Sequence, residues 1–253
     1  MAVEVTFATW NVGGGVTGAS HQRHGVPDLD HHAGVLRRFS PDVVCVQEAH
    51  EYDLGLGQTA DLAARAGYPH SVAVPISPSH LADDARLSLG VLSRYPVADL
   101  THVRFANPGL SAVGPSGEDW SIYDKGYLKA TVVIAGRPVT VVNAHCFPLH
   151  HFGASPTEAR FAPMWEAFGR DLLATAAAAP VLLAVDLNHP SVEDLLGGVV
   201  GEGGYSTAFR DVPTTPKGVQ QDHILHSGAF RLLDTRVVPT LGDHSYCDAR
   251  LAF

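Results

Sequence analysis

Lysine is scarce in this sequence, three residues in 253, and the 17 Lys plus Arg fall below the 26 Asp plus Glu, leaving a formal net charge of −9. Such a chain has no diffuse positive field to gather polyanions from a distance, so any phosphate contact must be local. Cysteine is also scarce. Cys45, Cys146 and Cys247 lie far apart and none falls in a C-x-x-C pair, which leaves a disulfide framework or structural zinc site without support and favours buried free thiols. Long apolar runs are missing. The longest, Ala176 to Val185, is interrupted by Pro180 and stops at Asp186, short of the roughly 20 residues a bilayer crossing needs. The amino terminus runs into the alternating Val3-Glu4-Val5-Thr6-Phe7 without a basic leader or cleavage site. The expectation is a soluble cytoplasmic protein with no membrane partner.

What is present suits a globular core: 45% of residues are hydrophobic and 17% charged, too apolar for disorder. No repeat and no Pro/Gly/Ser-rich linker divides the chain, so residues 1–253 read as a single domain and a monomer. Segments rich in Val, Ile and Thr predict strands at Glu4–Trp10, Val43–Gln47, Leu89–Ser93, Ala98–Phe105, Tyr127–Ile134, Val139–Ala144, Val181–Val185 and His223–His226. The spacing of Leu29, His32, Ala33, Leu36 and Phe39 predicts a helix stopped by Pro41, with further helices over Thr59–Ala66 and Thr157–Ala179. Hairpin-like pairs, such as the one turning at Gly136-Arg137-Pro138, point to mixed sheets with helices outside rather than to a βαβ repeat.

Several of these strands end in side chains able to bind metal or phosphate. Asn11, Glu48, His145, and Asp186 with Asn188 follow four of them, and Asp243-His244 sits in a turn near the carboxyl end. Strand ends are where a rigid scaffold aims side chains into one crevice. Carboxylate and carbonyl oxygens suit Mg²⁺ or Mn²⁺, and a further carboxylate can activate a water. Taken singly, each residue also reads as something plainer: Asn11 as turn chemistry before Gly13-Gly14-Gly15, His145 as a hydrogen-bonded core histidine, Asp186 as a helix cap. Independent turns would not be expected to select these side chains in this order.

The ordered segments Thr9-Trp10-Asn11, Pro41 to Glu48, Gly90 to Val97, Asn143-Ala144-His145, Val185-Asp186-Leu187-Asn188, Asp222-His223-Ile224 and Gly242-Asp243-His244 resemble the endonuclease/exonuclease/phosphatase superfamily. The resemblance spans residues 9 to 244 and is specific for the superfamily, not for a substrate. It implies a four-layer α/β/β/α sandwich of two packed mixed β-sheets with outer helices, and a Mg²⁺-dependent (or Mn²⁺-dependent) phosphoester hydrolase. By position it implies Glu48, Asn11 and Asp243 at the metal, Asp186 as the base for the attacking water and Asn188 on a phosphate oxygen. His244 would contact the phosphoryl group with Asp222 fixing its ring, and His145 would assist the leaving group. Two departures, Val185 for the usual Gly and Gly242 for the usual Ser, remove no functional group.

Lys125 stands where relatives often place a phosphate-contacting residue, although an exposed surface lysine is the plainer expectation. His150 and His151, with Phe152, follow the His145 strand and are candidates to line the cleft mouth and touch substrate. His21, His24, His31 and His32 add to a histidine-rich chain but fit no standard zinc spacing. With so few basic residues, a small phosphodiester or phosphomonoester, a nucleotide or a nucleic-acid end is the expected substrate. A nuclease on longer chains, a sphingomyelinase-like lipid hydrolase and a non-catalytic module of the same fold are the alternatives.

Overall fold

The computed structural model describes residues 3–18 and 26–253; His21 and His24 lie outside the described residues. In chain order the strands are β1 (Glu4–Asn11), β2 (Val16–Thr17), β3 (Val26–Pro27), β4 (Val43–Tyr52), β5 (His70–Pro78), β6 (Ala85–Ser93), β7 (Val97–Arg104), β8 (Ser111–Val113) and β9 (Asp119–Ser121), followed by β10 (Gly126–Ile134), β11 (Arg137–His145), β12 (Val181–Asp186), β13 (Tyr205–Thr207), β14 (Asp222–Ser227), β15 (Arg231–Val238) and β16 (Tyr246–Ala252). The helices are α1 (Leu29–Phe39), α2 (Gln58–Ala66), α3 (Ala162–Ala178) and α4 (Val192–Leu196). Two six-stranded sheets carry the fold, ordered β15-β16-β1-β4-β6-β5 and β13-β14-β12-β11-β10-β7. Both are mixed: β1 runs parallel to β4 and β11 parallel to β12, while the other neighbours are antiparallel.

Alternation along each strand sorts side chains between layers. Val5 and Phe7 of β1, Val43 and Cys45 of β4, Val139 and Val141 of β11, and Leu182 and Ala184 of β12 meet in one core between the sheets. The intervening residues face outward. Ala8, Trp10, Val44 and Val46 pack under α1 and α2, and Val142, Ala144, Leu183 and Val185 pack under α3 and α4. The result is the four-layer sandwich, helices outside and two mixed sheets within.

The helices start and stop for local reasons. Asp28 accepts the His31 N–H at 2.8 Å and caps α1, and Ser40 ends it in the left-handed conformation, φ 48°. The third helix begins at Ala162, not Thr157. Pro163 sits in its first turn, where a missing N–H costs nothing, and residues 159–161 form only a 3-10 turn before it. The β10–β11 hairpin turns on Ala135 and Gly136, at φ 50° and 80°, one residue earlier than Gly136-Arg137-Pro138, because two left-handed residues match the twist of the flanking strands. The three cysteines are buried free thiols. No helix among the described residues is long and apolar enough to cross a membrane.

Candidate active site

The parity that fills the shared core also builds one wall of the site. Continuing inward by twos, β11 delivers Asn143 and His145, β12 delivers Asp186, β1 delivers Thr9 and Asn11, and β14 begins with Asp222 two residues before the core residue Ile224. In register, His145 pairs with Asp186 and Asp186 with Asp222, so three functional side chains stand abreast on adjacent strands.

Asp186 is the centre of this group and is fully buried. Its Oδ1 accepts the Asn188 backbone N–H at 3.0 Å; its Oδ2 accepts the Asn11 Nδ2–H at 2.9 Å and lies 3.4 Å from His145 Nε2 and 3.9 Å from His244 Nε2. His244 is aimed from behind, its Nδ1 2.8 Å from Asp222 Oδ2. The carbonyl of His244 accepts from Thr240 Oγ1 at 2.7 Å and from the Trp10 indole at 3.3 Å. Asp222 is in turn fixed by Thr214, whose hydroxyl accepts its backbone N–H at 3.1 Å. Asn188, at φ 52°, spends one amide N–H on the Cys146 carbonyl at 3.1 Å, which leaves its second for a ligand. The Asn11 Oδ1 accepts the Gly13 N–H at 3.0 Å, so this residue both closes a turn and holds Asp186.

Glu48 reaches the site by a different route. In β4, Val46 faces the outer helices and Gln47 faces the opposite sheet, where its Nε2 donates to Asn143 Oδ1 at 2.7 Å. Strict alternation would send Glu48 outward. The β4–β6 register shifts between Gln47 and Ala49, and Ala49 again packs outward, so Glu48 is an inserted bulge residue. It takes φ 57°, a left-handed conformation that costs a non-glycine residue of order 1–2 kcal/mol. The bulge turns its carboxylate toward the second sheet, with Oε1 3.7 Å from His145 Nε2. Glu48 and Asp186 thus flank the same ring nitrogen.

Lys125 is not an exposed surface lysine. It is buried, with Nζ 3.3 Å from Glu48 Oε1 and 3.1 Å from each ring nitrogen of His145. Long side chains on loops carry no sequence signal for burial; the adjoining Gly126 is needed for its own close approach, since a Cβ there would meet the Val103 carbonyl oxygen at 2.2 Å. His80, which no motif singled out, lies close enough for its charge to act on both Glu48 and His145. His150 and His151 are not brought into the buried group. They are exposed, their rings lie tilted at 40° with centroids 4.1 Å apart, and His151 meets Trp120 edge-on at 6.0 Å.

The charges are mutually adjusted. Burial and the nearby Asp222 push the Asp186 carboxyl up, against the opposing pull of His244 and the Asn11 amide. Burial disfavours a charged His244, but Asp222 and Asp186 together outweigh it and raise this imidazole. Burial would push Glu48 up as well; Lys125 and the surrounding histidines overcome that and hold it ionised. His145 is driven down by burial first and Lys125 second, so it stays neutral. Asp243 is raised by burial and also feels His244 and Glu48.

Glu48 and Asp243 are hard oxygen donors near enough for their charges to act on one another, a set chemically suited to Mg²⁺ or Mn²⁺. A second grouping, Asp186, Asp222 and His244, has ligand atoms all within 4.8 Å of one another. In that one the raised imidazole already neutralises the carboxylates, so a cation there would have to displace a proton. Asp222 Oδ1 is buried without a hydrogen-bond partner.

A two-sheet sandwich with a base, a paired imidazole and a carboxylate cluster at the strand ends defines a class of proteins, the phosphoester hydrolases. The chain belongs to the Endonuclease/Exonuclease/phosphatase family, whose profile matches residues 8–246. No curated protein matches it by sequence. Among solved structures it is similar to an endonuclease/exonuclease/phosphatase from Beutenbergia cavernae DSM 12333, at TM-score 0.74 and 23% identity over 98% of this chain and 71% of that one. It is also similar to a 3′ phosphatase from Neisseria bound to a product DNA hairpin, at TM-score 0.62 and 19% identity over 97% of this chain and 98% of that one. A mannosyl-6-phosphatase from Bacteroides thetaiotaomicron VPI-5482 gives TM-score 0.61 and 15% identity over 98% of this chain and 100% of that one. At these identities the likenesses concern the fold.

Proposed function

We propose that the protein is a divalent-metal-dependent phosphoester hydrolase in which an activated water attacks phosphorus in line with the leaving oxygen. The observation that carries this reading is Asp186 Oδ2, buried and ringed by the Asn11 amide, His145 and an Asp222-held His244. A carboxyl pushed up by burial is a competent proton acceptor near neutral pH. The Asn188 N–H and Asn11 amide hold it in one orientation. His244, kept protonated by Asp222 and Asp186, donates to a non-bridging phosphoryl oxygen where negative charge builds. The remaining Asn188 amide N–H holds another phosphate oxygen, and the role given to neutral His145 is assistance at the leaving-group oxygen. Glu48 and Asp243 would hold the ion, with Asn11 adjoining; Mg²⁺ there supplies positive charge to the phosphoryl group.

The substrate class proposed is a small phosphodiester or phosphomonoester, a nucleotide or the end of a nucleic acid. Net charge supports it: at −9 with three lysines, the chain has few basic residues with which to cover the several phosphates of a long duplex. Its structural neighbours include a 3′ phosphatase bound to a product DNA hairpin and a mannosyl-6-phosphatase, in keeping with a phosphoester substrate. An assay with Mg²⁺ across nucleotides, sugar phosphates, oligonucleotide ends, phospholipids and plasmid DNA tests it. Turnover of the small esters is expected, and cleavage confined to long duplex DNA would overturn the assignment. Asp186→Asn should lower kcat by about a thousandfold or more, as loss of a water-activating group does, with an unchanged circular dichroism spectrum.

A further inference from the structure

Lys125 is the only buried lysine or arginine among the described residues. Its backbone is fixed: its carbonyl accepts the Phe105 N–H at 2.9 Å, and the next residue, Gly126, opens β10 in register with both Arg104 and His145. The side chain therefore leaves a pinned start of the second sheet and reaches across to Glu48 on the first, with the neutral His145 ring beside its ammonium. A carboxylate as enclosed as Glu48 is costly unless paired, and Lys125 is the pairing charge. That ammonium stands beside the carboxylate proposed above to hold the ion, and a permanent positive charge there opposes a second one.

Resting on that reading of Glu48, we propose that Lys125 is a tethered cation that shares Glu48 with the divalent ion. The protein alone then holds the ion weakly, and holds it strongly together with an anionic phosphate. The reasoning is electrostatic linkage. Without phosphate, ammonium and ion repel across one carboxylate; with phosphate present, the ammonium has an anion to turn to, so each of the two ligands strengthens the other's binding. Lysine suits this task better than arginine, being a compact point charge on a flexible stem. Lys125 is on this view a positioning residue for both ligands, and it makes the cleft most receptive to the ion when substrate is present.

Calorimetric titration of Mn²⁺ into wild type, Lys125→Met and Glu48→Gln, each with and without inorganic phosphate, tests it. Lys125→Met should bind Mn²⁺ alone at least about tenfold more tightly than wild type, from removal of a unit charge a few ångströms away. In wild type, phosphate should tighten Mn²⁺ binding, and in Lys125→Met most of that enhancement should vanish. Should the Lys125→Met protein fail to fold, Lys125→Gln keeps a donor to Glu48 without the charge and is expected to behave in the same direction. A merely structural lysine would leave Mn²⁺ affinity unchanged or lower on removal, and either result overturns the inference. If Glu48→Gln binds Mn²⁺ as tightly as wild type, the ion is not on Glu48, and both the metal assignment and the inference fall.

Discussion

The two walls of the cleft are built by opposite means. On the second sheet, His145, Asp186 and Asp222 arrive by unbroken alternation and stand abreast in register. On the first, Asn11 of β1 also follows the alternation, but Glu48 arrives only because a bulge breaks it and holds the residue left-handed. Their charges are balanced differently as well: an imidazole raised by two carboxylates on one side, and a lysine ion pair on the other. The regular wall places carboxylates and imidazoles within reach of one another, where relative position matters most. The irregular wall sets one carboxylate facing the other sheet, which a continuous β4 would have turned toward α1 and α2.

The sharpest way to break this contrast is at Asp222, which holds the His244 ring and on the proposed function acts on the reaction through it. Asp222→Asn keeps the shape and removes the charge that raises the imidazole. The value of kcat is expected to fall about a hundredfold, in the range typical of general acid–base groups. The pH profile distinguishes this from simple damage. His244 acts protonated, so activity falls as pH rises through its pKa; with Asp222 neutralised that pKa drops, and the alkaline limb should move to lower pH. An alkaline limb that stays in place would show that His244 does not depend on Asp222.

The contrast also explains what could be read from the chain in advance. The second-sheet wall was legible: the uniformly apolar Val181–Val185 followed by Asp186 and Asn188 marks a buried strand with its functional end, and β12 ends at Asp186. Identity of the first-wall residue was legible too, but not how it reaches the cleft, because period-two reasoning carries no signal for an inserted residue. Strand β5 was not among the expected strands; it carries Pro75 and Pro78, which are tolerated at the edge of its sheet, with a register shift beside Pro75. Strand β15, also at an edge, is interrupted by Asp234 and Arg236, charges that suit an exposed strand. The burial of Lys125 depends on contacts between residues 77 positions apart, which no local pattern encodes.

Beneath both walls lies a polar tie between the sheets. Asn143 Oδ1 accepts from Gln47 Nε2, and its Nδ2 lies 2.9 Å from the Val46 carbonyl and 2.8 Å from that of Gly90, all fully buried between the layers. Asn143→Ala removes three hydrogen bonds and leaves the Gln47 amide nitrogen with only its 3.2 Å contact to Thr9 Oγ1, for which a loss of about 2–4 kcal/mol in urea unfolding is expected. Because Gln47 adjoins the bulge, the metal affinity conferred by Glu48 should weaken more than the residual activity attributable to Asp186. Equal loss in both would mean that the walls are not mechanically separate.

The smallest expected effect lies outside the cleft, behind the first wall, and separates fold stability from catalysis. His32 of α1 is buried, stacks on Trp10 at 4.7 Å, and is lowered from 6.5 to about 4, chiefly by burial. The folded state therefore binds fewer protons than the unfolded chain between those values. Stability is complete above pH 6.5 and declines as pH falls toward 4, by about 3 kcal/mol for a shift of this size. The neutral ring of His32→Phe would retain the stack but lose the Nδ1 contact with the Asp28 carbonyl at 2.8 Å. Its stability at neutral pH should drop by about 1 kcal/mol. Its slope against pH between 4 and 6.5 should be shallower by up to about one proton. The acid dependence left over includes that of His50, His145, His150, His223 and His226, each lowered by burial. A slope unchanged from wild type would place the acid lability entirely in that second group, two of whose members, His50 and His145, lie close enough to Glu48 to feel its charge.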